Sequence, residues 1–479
     1  MLLDMAADGL GDRVAFGSHD DGMTFSALRE RAIAIAARLD GSERHTLALV
    51  SETGPIVPAA LFGAAWAGAA YAPINYRLPD PARVELLHRL RPVEVADESW
   101  LDLTTDPNTT DPNRAFPDAP DRPAVLLFTS GTSAEPKAAV LEHSQLLAYQ
   151  FNTMEFASAG DDEAVLLAVP PFDIAGVTAV LTSTYAGRRI VPLPRFDARD
   201  WLRVARAEAI THAFLVPTML ARIVAAIDDD PESAPTTLRH LSYGGARLPA
   251  PVLERALRLL PAAGFVNAYG LTETSSTVTL LGPDDHRTAF ESTDPAVRAR
   301  LASAGRPVPG IEVRVVDDAG TECNPGETGE ILVRGDQVSG EYVGRGSIRD
   351  DDGWLRTHDR GRVDADGFVF IEGRGDDTII RGGENIAPAE IEDALLEHPA
   401  VSAAAAVGIP DEEWGERVGA MVSLRPGEHV DPDTLRAWVR ERLGSLKTPE
   451  VVAVRDDLPH TDTGKILRRQ IRIDLVEES

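Results

Sequence analysis

One cysteine occurs in 479 residues, Cys323, so no intrachain disulfide can form. It sits in a Pro/Gly turn, Glu322-Cys323-Asn324-Pro325-Gly326, without acid–base neighbours, which argues against a nucleophilic thiol. Lysine is almost as scarce: Lys137, Lys447 and Lys465 are the only three, and the other 44 basic residues are arginine. Positive charge as a whole is short, because 47 basic residues face 76 acidic ones for a net charge of −29. Such a surface repels nucleic acid and anionic lipid, so neither is expected as a partner. The chain does not open on a basic segment followed by an apolar one, and the expectation is a cytoplasmic protein without a secretory signal. Long apolar runs are missing too, with one exception at 57–74. Pro58 and Pro73 bracket that run and Ala and Gly dominate it, so it reads as a buried helix followed by a strand, with no stable membrane insertion.

What is present is a globular composition, 43% hydrophobic, with 39 Gly and 34 Pro supplying turns. The length exceeds one ordinary core and predicts several domains. Thr24-Phe25-Ser26 opens an apolar-periodic stretch to Leu39, a capped helix; 46–51 is a short strand; a helix starts at Pro58. Residues 101–122, rich in Pro, Asp, Asn and Thr, read as a loop, and 124–128 as a fully apolar strand. Further strands are expected at 164–168, 190–193, 213–216 and 241–243, with helices such as 199–208 and 249–260 between them. This alternation predicts a large α/β lobe of layered, largely parallel sheets. After about Ala304, short strands at 311–316, 329–334 and 368–372 predict a β-rich subdomain. After Arg374, helices at 387–396 and 431–443 and strands at 403–407 and 420–424 predict a small α+β C-terminal domain. The expected division is 1–374 and 375–479.

Two of the three lysines have distinctive surroundings. Thr129-Ser130-Gly131-Thr132-Ser133-Ala134-Glu135-Pro136-Lys137 follows the apolar strand. Gly131 frees the backbone so that successive amides can face an anion, the hydroxyls add donors, and Lys137 adds a mobile charge. The same composition suits a polar surface turn, and the spacing is not that of the nucleotide-hydrolase phosphate loop. Further along come Gly244-Gly245-Ala246, Tyr269-Gly270-Leu271-Thr272-Glu273-Thr274 and Thr357-His358-Asp359-Arg360-Gly361. The segment from Gly373 to Ile386 follows, holding Arg374, Asp376 and Arg381-Gly382-Gly383-Glu384, and last comes Gly464-Lys465.

In this order the motifs, spread from about Thr24 to Arg472, resemble the acyl-adenylate-forming superfamily, which includes acyl- and aryl-CoA synthetases, peptide-synthetase adenylation domains and luciferases. The resemblance implies that an acid and ATP form an acyl-adenylate and pyrophosphate, and that a thiol, usually that of CoA, then displaces AMP. It implies ATP, Mg2+ and CoA as cofactors. By the same resemblance Thr129, Ser130, Gly131, Thr132, Ser133 and Lys137 would hold the β- and γ-phosphates. Gly244, Gly245, Ala246 and Tyr269 would bracket the adenine, and Thr272 would meet the α-phosphate. Glu273 would hold Mg2+, a hard ion suited to carboxylate oxygen. Asp359 would accept from the ribose hydroxyls beside Arg374. Lys465 would bridge the substrate carboxylate and the α-phosphate. Asp376 stands where the family has its hinge, about which a small mobile C-terminal domain swings between two orientations. One orientation inserts Lys465, and the other brings Arg381, Gly382 and Gly383 toward CoA. The bland alternatives are a core aromatic at Tyr269, a helix cap at Glu273, a turn at Asp359, a hairpin at Gly382-Gly383 and a structural role for His143.

Two positions depart from the pattern. Ala134 replaces a Gly or Ser in the phosphate loop. In the segment lining the acyl pocket, Pro170-Pro171-Phe172-Asp173-Ile174-Ala175-Gly176, Asp173 stands where CoA ligases usually have histidine. Phe172, Asp173, Gly176 and Gly270 are the expected pocket residues. Asp173 pairs with a substrate amine, as in amino-acid-activating domains, or it caps the following helix or pairs with a local arginine and the acid is a plain fatty or aryl one. The expected substrate is thus a fatty, aryl or amino-substituted carboxylic acid. The expected activity is an AMP-forming acid–CoA ligase, the alternative being transfer to a carrier-protein thiol or a nitrogen nucleophile.

Overall fold

The computed structural model describes residues 1–39, 46–103, 122–129, 136–382, 384–411 and 414–478, with the side chains of Asp376 and Asn385 outside that description. The expected 101–122 loop lies mostly outside it, as do Ser130, Gly131, Thr132, Ser133, Ala134 and Gly383.

Four sheets organise the described residues. A nine-stranded sheet has a parallel centre: Gly264–Leu271, His240–Gly244, His212–Leu215, Ala164–Leu167, Arg189–Pro192 and Val14–Phe16 lie side by side. Antiparallel pairs close it at both ends. A seven-stranded sheet pairs Pro123–Thr129, Ala70–Pro73, Thr46–Leu49 and Val93–Ala96 in parallel. It then turns antiparallel through Lys137–Glu142, Glu341–Tyr342 and Gly346–Ser347. Parallel pairing is therefore confined to where helices make the crossovers.

Period-two alternation sets the layers. Ala164 and Leu166 join one core with helices Ala198–Ala207, Pro217–Asp229 and Ala250–Leu259, whereas Val165 and Leu167 face another. That second core is shared with Leu47, Leu49 and Tyr71 of the other large sheet and with helices Phe25–Leu39, Ile56–Ala67 and Ile174–Ala186. Ala48, Ala70 and Ala72 point away from it, toward the helix Asp80–Arg89. The lobe is thus helix, sheet, helix, sheet, helix, with apolar strands buried on both faces. The run at 57–74 resolves into helix Ile56–Ala67 and strand Ala70–Pro73. Pro58 falls in the first turn, where a missing N–H leaves no bond unmade. No helix among the described residues is long and apolar enough to cross a membrane.

Ile311–Val316, Gly329–Gly335, Leu355–Val363 and Val369–Arg374 form the third, antiparallel sheet. The fourth holds Glu384–Ile386, Ile379–Arg381, Gly415–Leu424, Val401–Asp411 and Val451–Arg455, with its own core against helices Pro388–Leu396 and Pro432–Leu443. Helix Arg468–Glu477 covers its other face. The Arg381 region is a hairpin between Ile379–Arg381 and Glu384–Ile386, as one sequence alternative has it.

Candidate active site

The parallel strands His212–Leu215 and His240–Gly244 end beside each other, and the site lies beyond those ends, where open α/β sheets place ligands. Gly244 closes its strand, and a β-carbon there would sit 2.2 Å from the Ala268 carbonyl oxygen. Gly245 then adopts φ +81°, a conformation that favours glycine.

Tyr269 lies within Gly264–Leu271 and points across to the third sheet. Its Oη donates to Asp359 Oδ2 at 2.5 Å. Asp359 and Arg374 are cross-strand partners, so Arg374 Nε lies 3.0 Å from Asp359 Oδ1. Asp359 is only 5% exposed. Burial pushes its carboxyl above the usual range, while the Arg374 charge and the Tyr269 hydrogen bond pull it back. Burial, with the Asp359 charge beside it, holds the Tyr269 phenol well above its ordinary value. Tyr269 is therefore a neutral donor and Asp359 an acceptor whose further lone pairs can take hydroxyls.

Beyond the strand the chain makes a short 3-10 turn, Thr272–Thr274, and Ser275 follows at φ +55°, a left-handed residue without glycine's freedom. Segment 337–342 holds this turn. Gln337 Nε2 donates to the carbonyls of Thr274 and Thr277 at 3.1 and 2.9 Å, and the Ser339 amide donates to the Glu273 carbonyl at 2.8 Å. Tyr342 Oη donates to Glu273 Oε1 at 2.5 Å. Lys137 Nζ stands 5.4 Å from the centre of the Tyr342 ring. Thr129 pairs with Lys137 across the hairpin whose turn carries the hydroxyl-rich loop.

The fourth sheet delivers Lys465 to this place. A β-carbon added to Gly245 would lie 3.4 Å from Lys465 Cε. Gly464 packs so closely on Val216 and Thr218 that a side chain there would collide, and its carbonyl accepts from Thr218 Oγ1 at 3.2 Å. Asn75 Nδ2 donates to Asp462 Oδ2 at 2.8 Å, and Arg77 donates to the Asp462 carbonyl. Arg247 donates to the Ala389 carbonyl at 3.0 Å and pairs with Asp393.

Most of the expected residues therefore converge: Lys137, Thr129, Gly244, Gly245, Ala246, Tyr269, Gly270, Thr272, Glu273, Asp359, Arg374 and Lys465. Arg381 and Gly382 do not join them. Among the described contacts Arg381 pairs with Glu450, donates to the Leu446 carbonyl at 2.9 Å and stacks on Trp414, all partners that lie on loops flanking the fourth sheet. Asp173 takes the capping alternative: its Oδ1 accepts from the Ala175 amide at 2.9 Å at the head of helix Ile174–Ala186. Phe172 meets Tyr76 edge-on at 5.7 Å between ring centres, and Gly176 packs against the Pro170 carbonyl. His143 opens the helix His143–Thr153, and burial lowers its pKa. Sequence reasoning missed Tyr342, Gln337, Asn75, Arg77, Thr218 and Arg247.

Among the described residues no group of three or more His, Cys, Asp or Glu side chains forms a metal cage. A lone carboxylate such as Glu273 still fits Mg2+, which commonly takes one or two carboxylates plus substrate phosphates.

A layered lobe whose strand ends meet a lysine from a second unit defines a two-part enzyme fold. The AMP-binding enzyme family matches residues 3–343, and the AMP-binding enzyme C-terminal domain matches residues 390–465. The chain belongs to the AMP-binding enzyme family. It is 34% identical over 480 residues to a feruloyl-CoA synthase of Amycolatopsis sp, covering 94% of this chain and 93% of that one. It is 34% identical over 450 residues to a fatty acid–[acyl-carrier-protein] ligase of Streptomyces coeruleorubidus, covering 86% and 83%. Among solved structures, the o-succinylbenzoate CoA synthetase of Bacillus subtilis in complex with its acyl-adenylate intermediate superposes with a TM-score of 0.84 at 28% identity, covering 98% and 97%.

Proposed function

We propose that this protein is an ATP-dependent, AMP-forming acid–CoA ligase. The acid is first joined to AMP with release of pyrophosphate, and the CoA thiol then displaces AMP. The observation that carries the reading is Lys465 resting against Gly245, beside the Tyr269–Asp359–Arg374 and Glu273–Tyr342 clusters. In the first step a carboxylate approaches a phosphate, two anions, so positive charge must be aimed where they meet. The Lys465 ammonium meets that need, and its flexible stem reaches where a guanidinium fork would not fit. Asp359 accepts the ribose hydroxyls, Tyr269 lies beside the base, and Thr272 and Lys137 face the phosphates. Glu273 would hold magnesium, which would supply positive charge against the phosphates. Phe172, Gly176 and Gly270 border the acid.

Residues 1–374 and 375–479 act as two bodies, turning at the Gly375–Asp377 segment that holds Asp376. The present arrangement is the adenylating one, and Arg381, Gly382 and Gly383 reach the site only after the turn. The helix-capping role of Asp173 favours a plain fatty or aryl acid over an amine-bearing one. A carrier-protein thiol as acceptor is the second reading, favoured by the likeness to the fatty acid–[acyl-carrier-protein] ligase.

The test is a pyrophosphate-release screen over fatty, aryl and amino acids, with no acceptor, with CoA, or with a phosphopantetheinylated carrier protein. Acid-dependent ATP–pyrophosphate exchange followed by CoA-dependent AMP release is expected. Exchange with carrier-dependent but not CoA-dependent release selects the second reading. No exchange with any acid overturns both.

A further inference from the structure

We propose that Tyr342 is a positioning residue that presents the Glu273 carboxylate to the magnesium ion accompanying the nucleotide; the proposal rests on the adenylate-forming reading above. Glu273 sits on a three-residue 3-10 turn that leads into a left-handed serine, a poor platform for a side chain that must meet an ion accurately. The turn gets its rigidity from a segment far away in sequence. Strand Glu341–Tyr342 pairs with Lys137–Glu142, the return strand of the phosphate-loop hairpin, through Tyr342 and Ala139. The Val343 amide donates to the Ala138 carbonyl at 2.9 Å. The same short segment reaches the other way, its Ser339 amide to the Glu273 carbonyl and its Gln337 amide group to Thr274 and Thr277. Gln337 is 1% exposed, so these bonds are shielded from water. Tyr342 is the point where the two attachments meet. Its hydroxyl takes one oxygen of Glu273, and among the described hydrogen bonds none takes the other, while its ring lies beneath Lys137.

The chemistry of the contact suits the task. A tyrosine hydroxyl is a neutral O–H donor, and here it donates to Glu273 Oε1. A neutral donor orients a carboxylate without neutralising it, as outer-sphere partners of metal ligands do. A lysine in its place would lower the carboxylate's pull on a cation. Tyr342 thereby couples two parts of one site: the hairpin that would hold the phosphates and the turn that would hold their counter-ion.

The test uses the full chain, with Mn2+ as the probe, read by loss of the free-ion electron paramagnetic resonance signal, with and without a non-hydrolysable ATP analogue. Tyr342→Phe keeps the ring beside Lys137 and removes only the hydroxyl. Mn2+ affinity of the enzyme–analogue complex should fall roughly 10- to 100-fold. Metal-free binding of the analogue and the thermal midpoint should stay at wild-type values. The Mg2+ concentration giving half-maximal ATP–pyrophosphate exchange should rise in step. Unchanged Mn2+ affinity overturns the proposal, as does a loss matched by equal weakening of metal-free nucleotide binding. Glu273→Gln separates the two levels. If it abolishes Mn2+ uptake while Tyr342→Phe binds like wild type, positioning fails and the ligase reading stands. If wild type itself takes up no Mn2+ with the analogue, the metal–nucleotide reading fails with it.

Discussion

The two halves of the candidate site are built on opposite principles. In the large lobe, buried Asp359 is held by Arg374 across paired strands and by Tyr269 from the neighbouring sheet, and Glu273 is held by Tyr342. From the fourth sheet a single exposed lysine arrives on a loop, held by polar contacts at Asp462, Gly464, Ala389 and Asp393. Asn75, Arg77 and Arg247 make several of those contacts at the surface, where each hydrogen bond or ion pair is worth about 0–1 kcal/mol. The first half is fixed by burial and geometry, so it is ready before any ligand comes. The second is held by contacts weak enough to release, as the proposed turn between two arrangements requires.

The sharpest way to break this contrast is inside the fourth sheet. Arg468, three residues after Lys465, donates to the Ala406 carbonyl at 2.9 Å and to Glu392 Oε2 at 3.0 Å, and its Nε lies 3.6 Å from Asp377 at the junction with the large lobe. Glu392, 8% exposed, also accepts from the Ala406 amide at 2.8 Å. Arg468→Ala leaves that carboxylate buried without its counter-ion, and such losses cost about 3–5 kcal/mol. Hydrogen exchange should quicken in Val401–Asp411 and stay slow in His240–Gly244. Equal loss in both would show that the two units are one cooperative body.

Next in size is Lys465→Ala. Removing one group aimed at developing charge typically lowers turnover about 10²- to 10³-fold, or about 2.7–4 kcal/mol. ATP–pyrophosphate exchange should fall by that amount. Thioester formation from a supplied acyl-adenylate should stay within a few-fold, and the thermal midpoint should not move, since the side chain is exposed. A comparable fall in the second half-reaction would mean that the lysine does not withdraw.

Burial also explains which parts of this architecture were legible in the sequence. Alternation in Ala164–Leu167 and Ala70–Pro73 announces two-faced strands because both faces are apolar cores. Strand Leu355–Val363 alternates in burial just as regularly, yet the sequence predicts no strand there and offers Asp359 as a turn. Its buried residues are Leu355, Thr357, Asp359 and Gly361, so past the first there is no apolar period to read. The glycine and lysine motifs were visible because a close approach or a mobile charge tolerates few substitutes. Tyr342 was not, since the glutamate it serves lies 69 residues away in sequence and a lone tyrosine has no local signature. Asn75, Arg77, Thr218 and Arg247 were hidden for the same reason: their partners lie far along the chain, between 142 and 387 residues off.

The large lobe should also be the acid-sensitive half. His286 is 1% exposed, with Nε2 at 2.9 Å from Tyr243 Oη and Nδ1 at 2.9 Å from the Gly282 carbonyl. Burial drives its pKa down from 6.5 to about 4. The unfolded chain therefore takes up a proton first as pH falls, and the folded state binds fewer protons throughout that interval. The stability is fully present above pH 6.5 and is lost progressively as pH falls toward 4. At 1.36 kcal/mol per unit the loss is about 3 kcal/mol. Urea midpoints measured from pH 7 to 4 should fall for the wild type and fall less steeply for His286→Gln. An unchanged slope in that variant would move the acid sensitivity elsewhere.

The smallest effect tests the weak half directly. Asn75 Nδ2 and Asp462 Oδ2 lie 2.8 Å apart and exposed, and Arg77 donates to the Asp462 carbonyl beside them. Neither contact belongs to the buried framework, so Asn75→Ala, Arg77→Ala and Asp462→Ala should leave the unfolding midpoint of the large lobe unchanged. Each should slow pyrophosphate exchange by roughly two- to fivefold, the kinetic equivalent of a net hydrogen bond of about 0.5–1 kcal/mol. A double-mutant cycle between Asn75 and Asp462 should recover the same coupling. In the CoA-dependent step the sign should reverse or vanish, since the proposed turn takes the fourth sheet away from these contacts. If all three variants slow both half-reactions alike, the contacts support the fold rather than hold one of two arrangements, and the division between a fixed half-site and a delivered one loses its basis.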